Sequence, residues 1–267
     1  MANVAIKTVE LSETVVSAIS HMVDSLATAP TWSAYEDASE ALLSDKVAND
    51  ALKALINRQN DLEAVMRLNG LDQAELDELD QLQQACMDQP HVMDYLQAQQ
   101  GLMPLFADIV TVFSSRLGID FATACGKSSC SPSSESNLVQ DAEGNLPADL
   151  VRTIDTLAQT LRSTEELTRS QQAEINFRNK PASSNLWLYF NDAVKDLNMQ
   201  QNRGAVDPAT LERARHLQRQ VREDTVLVEW LSSQQDAYAM LKKVNEHISE
   251  LIGMDFVSTA VPSGCCG

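Results

Sequence analysis

The sequence predicts an all-α protein made of two tandem homologous repeats, each a bundle of about five helices, packed as a pseudo-twofold dimer. The first indication is composition: 44% of the 267 residues are hydrophobic, and only nine are glycine and eight proline, which favours a helical protein over a β-rich or disordered one. The second is a series of apolar stripes with spacings of three and four residues. The third is that a shift of 135 residues aligns one half of the chain with the other.

The duplication is clearest where Leu-Gly-Ile-Asp-Phe at 117–121 aligns with Ile-Gly-Met-Asp-Phe at 252–256. The same shift aligns apolar residues back along the chain without a gap, so that 19–130 and 154–265 share one set of apolar positions. Aligned pairs include Ile19 with Ile154, Leu26 with Leu161, Leu52 with Trp187, Tyr95 with Trp230 and Phe106 with Leu241.

This alignment defines the predicted domains. A first helical repeat occupies 1–130 and a second occupies 147–267, and each ends in a cysteine-containing tail. The segment between them, 131–146, is rich in Ser, Asp, Glu and Asn, so we predict that it is a flexible linker.

Local start and stop signals place the five helices of each repeat. In the first repeat the first two helices are predicted at 8–28 and 31–43. The third is predicted at 45–69, with Asp45 as its N-cap and Asn69-Gly70 as its stop signal. The fourth is predicted to begin at Asp72, and the fifth to occupy 90–117. In the second repeat they are predicted after Pro147, at 164–178, from Ser183 to Arg203-Gly204, from Asp207-Pro208 onward, and at 225–252.

The repeated Gly-apolar-Asp-Phe motif is predicted to be a helix stop. Gly118 and Gly253 each follow the long apolar fifth helix, where a residue in the left-handed conformation ends a helix, and the Phe that follows can fold back onto the last turn. The continuous apolar stripe of this fifth helix suits a seam between the repeats as much as a core within one repeat.

The charge of the chain argues against nucleic-acid and membrane partners. A net charge of −18 repels phosphate backbones and anionic lipid surfaces. The charge keeps the protein soluble or, alternatively, attracts a basic partner. No apolar run is long enough to span a bilayer, and the N-terminus lacks the pattern of a secretory signal, so we expect a cytoplasmic protein.

Four cysteines follow the two helix stops and are the candidate metal ligands: Cys125, Cys130, Cys265 and Cys266. Pseudo-twofold packing of the repeats could bring the tails together, and four thiolates suit a 4Fe-4S cluster or a structural zinc. No C-x-x-C or ferredoxin spacing is present. Terminal thiols that bind no metal are the alternative.

Catalysis has no visible apparatus in this sequence, and we expect a protein that is not an enzyme. No phosphate-binding loop, dinucleotide fingerprint or Gly-x-Ser-x-Gly motif occurs, and the four histidines form no Glu-x-x-His pair of the di-iron type.

The fourth helix differs in charge between the repeats. From Leu71 to Asp88 it has six acidic residues and no basic one, whereas the second copy carries Arg213, Arg215, Arg219 and Arg222. We predict that these helices either complement each other across the pseudo-dimer or present different surfaces to different partners; neutral drift of exposed positions is the alternative.

The order of these features resembles the YlbF/YmcA family. The resemblance is carried by a helical unit of just over 100 residues, an Asn-Gly or Arg-Gly stop, a helix that opens after Asp, the Asp-x-Pro-His-Val-x-x-Tyr-Leu pattern at 88–96, then Leu-Gly-Ile-Asp-Phe and a cysteine tail. Both halves of the chain resemble the family, and the cysteine spacing differs between them.

The resemblance implies a non-enzymatic regulator or adaptor that acts by association with proteins. Family members join a complex with YaaT that accompanies RNase Y in RNA processing and influences developmental regulation, and that complex carries iron-sulfur clusters with C-terminal cysteines implicated. By resemblance the partners are a YaaT-like protein or an RNase Y-type complex, and the sequence also leaves a homo-oligomer open. The alternatives are a structural helical scaffold without metal and a redox or metal-delivery protein.

Overall fold

A computed structural model describes residues 10–69, 72–127 and 136–261, and every regular element in these ranges is an α-helix. The predicted all-α class is confirmed. Within these ranges no helix combines the length and the apolar character needed to cross a membrane.

Helices α1 to α6 form the first repeat. They are α1 Glu13–Leu26, α2 Pro30–Ser44, α3 Lys46–Asn69, α4 Gln73–Met87, α5 Pro90–Leu117 and α6 Phe121–Ala124. The first begins later than predicted because Ser12 caps it, with its hydroxyl accepting a hydrogen bond from the backbone N–H of Val15 at 3.4 Å. The short α6 was not predicted from the sequence.

Helices α8 to α13 repeat the same order, and α7 lies between the two repeats. They are α7 Ser136–Asn145, α8 Ala148–Arg162, α9 Glu165–Arg178, α10 Pro181–Asn202, α11 Pro208–Glu223, α12 Thr225–Ile252 and α13 Phe256–Ala260. Among the described residues each repeat therefore has six helices rather than five, because a short helix follows the long fifth one in both copies.

The predicted N-caps hold α4 and α11 in place. Asp72 and Glu75 form a capping box at the start of α4, and the carboxylate of Asp207 accepts a hydrogen bond from the backbone N–H of Ala209 at the start of α11. The start of α12 has a cap that was not predicted: Asp224 accepts hydrogen bonds from the backbone N–H groups of Val226 and Leu227.

The two repeats pack as a pseudo-twofold pair. Helix α1 packs against its own counterpart, α8. The other contacts between the repeats come in equivalent pairs. The contact of α5 with α8 corresponds to that of α12 with α1, and the contact of α13 with α5 corresponds to that of α6 with α12. Such reciprocity is the property of an isologous dimer interface. Here it joins two halves of one chain, as the duplication predicted.

One hydrophobic core runs through both repeats. Its fully buried side chains include Ile19 and Phe106 from the first repeat and Ile154 and Phe256 from the second. The rings of Phe106 and Phe256 meet edge to face across the repeat boundary, with centroids 5.1 Å apart. The apolar stripes of α5 and α12 therefore serve as seam and as core at once.

Two helical hairpins project from this shared core. Arm 1, formed by α3 and α4, packs on α2 and α5, and arm 2, formed by α10 and α11, packs on α9 and α12. Each arm thus packs against its own repeat. A smaller apolar cluster around Leu42, Cys86 and Val92 fixes the base of arm 1.

The structure differs from the sequence prediction between the repeats. Residues 131–146 were predicted to be a flexible linker, but residues 136–145 form α7, which packs on α5. The reason is tertiary: Ala142 and Leu146 are buried, and Glu143 accepts a hydrogen bond from Arg116 at 2.9 Å. Residues 131–135 lie outside the described ranges.

Candidate interaction surfaces and cysteine tails

The repeated Gly-apolar-Asp-Phe motif ends one helix and starts the next. Gly118 and Gly253 adopt left-handed conformations with φ of 71° and 73°, and their backbone N–H groups close the last turns of α5 and α12. The Asp two residues later caps the short helix: Asp120 accepts from the N–H of Thr123 and Asp255 from the N–H of Ser258. The motif therefore turns the chain rather than only stopping it.

The turn carries the end of each repeat onto the other repeat. Helix α6 packs on α12 and α13 packs on α5. The end of α6 also lies near the start of α13. Although burial opposes ionisation of Asp255, hydrogen bonds from Ser258 and the positive charge of Lys127 bring its pKa below the usual value.

Cys125 is the candidate ligand that the structure describes. Its thiol is partly buried and donates a hydrogen bond to the backbone carbonyl of Leu241 on α12, with Sγ and oxygen 3.8 Å apart. Burial, reinforced by the negative charge of Asp255, raises the pKa of the thiol to about 12. A metal binds the thiolate, so coordination would require Cys125 to leave this arrangement.

The remaining candidate ligands, Cys130, Cys265 and Cys266, lie outside the described residues. Within 10–69, 72–127 and 136–261 no group of three or more His, Cys, Asp or Glu side chains is placed to hold a metal ion.

Helix α4 gives arm 1 an acidic surface. Asp77 and Asp80 are exposed on it, and Asp77 accepts a hydrogen bond from Gln73 at 2.8 Å. Glu78 is paired with Arg58 of α3 at 2.6 Å. Because α4 contains no basic residue, its outer face carries negative charge only.

Helix α11 gives arm 2 a basic surface. The side chains of the four predicted residues, Arg213, Arg215, Arg219 and Arg222, are all exposed, and none forms an ion pair with another described residue. The 135-residue shift aligns Arg213 with Glu78 and Arg215 with Asp80. At these two positions the arms carry opposite charges, whereas Arg219 and Arg222 align with the uncharged Gln84 and Met87. The α4 and α11 helices each pack within their own repeat, on α3 and α5 or on α10 and α12.

An ion-pair network at the repeat junction was not predicted from the sequence. Arg116, in the last turn of α5, donates hydrogen bonds to Asp155 of α8 at 2.7 Å and to Glu143 of α7 at 2.9 Å. The hydrogen bond to Asp155 is the main reason why the pKa of Arg116 is raised. The available signal was that Leu251 occupies the equivalent position of the second repeat, so Arg116 breaks the internal symmetry.

These observations define a class: an all-helical protein built as two fused copies of one unit, with a shared core and two projecting arms whose second helices, α4 and α11, differ in charge. The chain belongs to the YlbF/YmcA family, whose description is "Control of competence regulator ComK, YlbF/YmcA". The family model matches residues 15–117 and 150–252, which together make up more than half of the chain and are separated by the same 135-residue shift. The predicted membership and duplication are confirmed, and a regulatory role follows from the family.

The matches end at Leu117 and Ile252, so all four candidate metal ligands follow the matched stretches. Comparison with curated proteins and with solved structures found no match.

Proposed function

We propose that the chain is a non-enzymatic cytoplasmic regulator or adaptor that acts by binding other proteins through its arms. The observation that carries this proposal is the set of four exposed arginines on α11, free of ion pairs among the described residues of a chain with net charge −18. Guanidinium groups on a rigid helix suit an acidic protein surface, because each can form paired hydrogen bonds with a carboxylate.

The shared core supports this role because it holds both arms on a fixed frame. By the family resemblance, the partner is a YaaT-like protein or an RNase Y-type complex, and the process is RNA processing or developmental regulation. The net negative charge makes direct nucleic-acid binding unfavourable, so contact with such a complex would be made through its proteins.

Charge reversal on α11 tests the proposal. In affinity purification from the native host, we expect Arg213→Glu, Arg215→Glu, Arg219→Glu and Arg222→Glu together to reduce the recovery of the partner at least about tenfold, as expected when several charge pairs at one interface become repulsive. Because all four side chains are exposed, the melting temperature should change by only a few degrees. Unchanged recovery of every co-purifying protein would contradict the proposal.

The cysteine tails carry a second proposal, a 4Fe-4S cluster or a zinc ion held by Cys125, Cys130, Cys265 and Cys266. Its support is that the four cysteines follow the two helix stops, and that α6 and α13 each pack on the other repeat. The present hydrogen bond of Cys125 opposes it. If no metal is held, the chain is a helical scaffold; if the cluster itself is the function, the chain is a redox or metal-delivery protein.

Purification without oxygen tests the metal proposal. A cluster should give a brown protein with a broad absorption band in the visible range that bleaches in air, with iron and sulfide in equal amounts. The control is a variant with all four cysteines replaced by serine, which should be colourless and keep its melting temperature within a few degrees. A colourless protein that contains neither iron nor zinc would eliminate both metals and leave the scaffold.

A further inference from the structure

We propose that the chain associates with itself, head to tail, by docking α4 of one copy against α11 of a second copy. This inference rests on the proposed function, since it assigns a protein to the arginine surface, and it deepens that function by naming the partner as a second copy of the chain.

The basic side of the contact is a stripe along α11. Arg215, Arg219 and Arg222 are spaced at i, i+4 and i+7, which places them on one side of a helix with 3.6 residues per turn. The buried residues of the helix, Ala214 and Val221, lie about a third of a turn away from this stripe, on the side that packs on α10 and α12. The stripe therefore faces outward along most of the helix.

The acidic side is the first half of α4, where Asp77 and Asp80 are exposed. The 135-residue shift aligns the three arginines with Asp80, Gln84 and Met87, of which only Asp80 is acidic. Asp77 lies one turn before Asp80, while the buried Cys86 points into arm 1. Two antiparallel helices would thus bring carboxylates opposite guanidinium groups.

Apolar side chains border both stripes. On α4, Leu76 and Met87 are 39% and 43% exposed, and on α11 the partly buried Leu211 lies beside the arginines. Their presence matters because exposed ion pairs contribute only about 0 to 1 kcal/mol each, so charge alone gives register but little affinity. Burial of these side chains would supply the remainder of the attraction.

Opposite charge selects a second copy as the occupant. The first half of α4 presents the exposed carboxylates of Asp77 and Asp80, and α11 presents three exposed arginines, so α4 of one copy attracts α11 of another. The contact is heterologous, since it leaves α11 of one copy and α4 of the other free, and it can extend into rings or chains. The net charge of −18 opposes association elsewhere, so we expect a weak contact that depends on concentration.

A pair of charge-reversal variants tests the contact by sedimentation analysis of the full chain over a wide range of concentrations. The first carries Arg215→Glu, Arg219→Glu and Arg222→Glu, and the second carries Asp77→Lys and Asp80→Lys. A matched control carries Asp37→Lys and Glu40→Lys on α2, outside the arms, and changes the net charge as much as the second variant does.

The average mass of the unmodified chain and of the control should rise with concentration. Each arm variant alone should stay at the monomer mass, with an association constant at least about tenfold lower. An equimolar mixture of the two arm variants should regain association, because the lysines of one then face the glutamates of the other. Circular dichroism confirms that all variants are folded.

An unmodified chain that is monomeric at every concentration would overturn the inference, as would arm variants that associate like the control, or a mixture that fails to regain association. The proposed function is tested separately by affinity purification from the host. If the chain is monomeric but α11 reversal still removes another protein, the inference fails and the proposed function stands. If α11 reversal changes neither result, both fail.

Discussion

Replacing Phe256 by alanine is expected to lower the free energy of unfolding by about 3 to 5 kcal/mol, the usual cost of removing a fully buried phenylalanine. Phe256 is 1% exposed and its ring meets Phe106 of the other repeat. The cavity would therefore open at the boundary between the repeats and weaken the packing of both. Urea unfolding followed by circular dichroism measures the loss.

The matched variant is Phe121→Ala at the equivalent position of the first repeat. Phe121 is also fully buried, but its nearest ring, Phe113, belongs to its own repeat, with centroids 4.9 Å apart. We expect a similar loss of stability, and a single unfolding transition in both variants because the core is continuous. A loss below about 1 kcal/mol for Phe256→Ala, or two separate transitions in which only one repeat is destabilised, would contradict a shared core.

Dividing the chain between the repeats should have the larger effect. Residues 1–130 alone would expose the faces of α1, α5 and α6 that pack on the second repeat, and residues 131–267 alone would expose α8, α12 and α13. We expect each half to aggregate or to lack a cooperative thermal transition, because apolar side chains that are now buried would face water.

Co-expression of the two halves is the decisive comparison. The seam is isologous in form, so the halves should associate and co-purify in equal amounts with the circular dichroism spectrum of the intact chain. A half-chain that melts cooperatively as a monomer would show that the repeats are independent domains. A co-expressed pair that fails to assemble would show that the covalent connection through α7 is required.

The main helices could be predicted because their ends are set by local chemistry. Asp72 and Asp207 cap α4 and α11, and Gly118 and Gly253 end α5 and α12 at the predicted residues. The short helices α6 and α13 were missed because four or five residues are too few to show a helical period. Their one local sign was an Asp placed to cap them after each glycine.

Features that depend on packing between the repeats could not be predicted in the same way. The polar composition of 131–146 indicated a flexible linker, yet burial of Ala142 and Leu146 and the ion pair of Arg116 hold α7 on the core. The contact of Cys125 with Leu241 likewise depends on α6 lying across the other repeat. By contrast, the charge difference between α4 and α11 could be predicted, because the caps of both helices placed these residues at equivalent positions.

The fusion of two units in one chain has an evolutionary consequence. A dimer assembled from identical polypeptides must carry every substitution twice, so its two projecting hairpins would always have the same charge. One gene encoding both halves removes that constraint, and selection can act on Asp80 without altering Arg215. A fused protein of this kind can thus become polar, with two arms of different charge, even if the two units of its ancestor were identical.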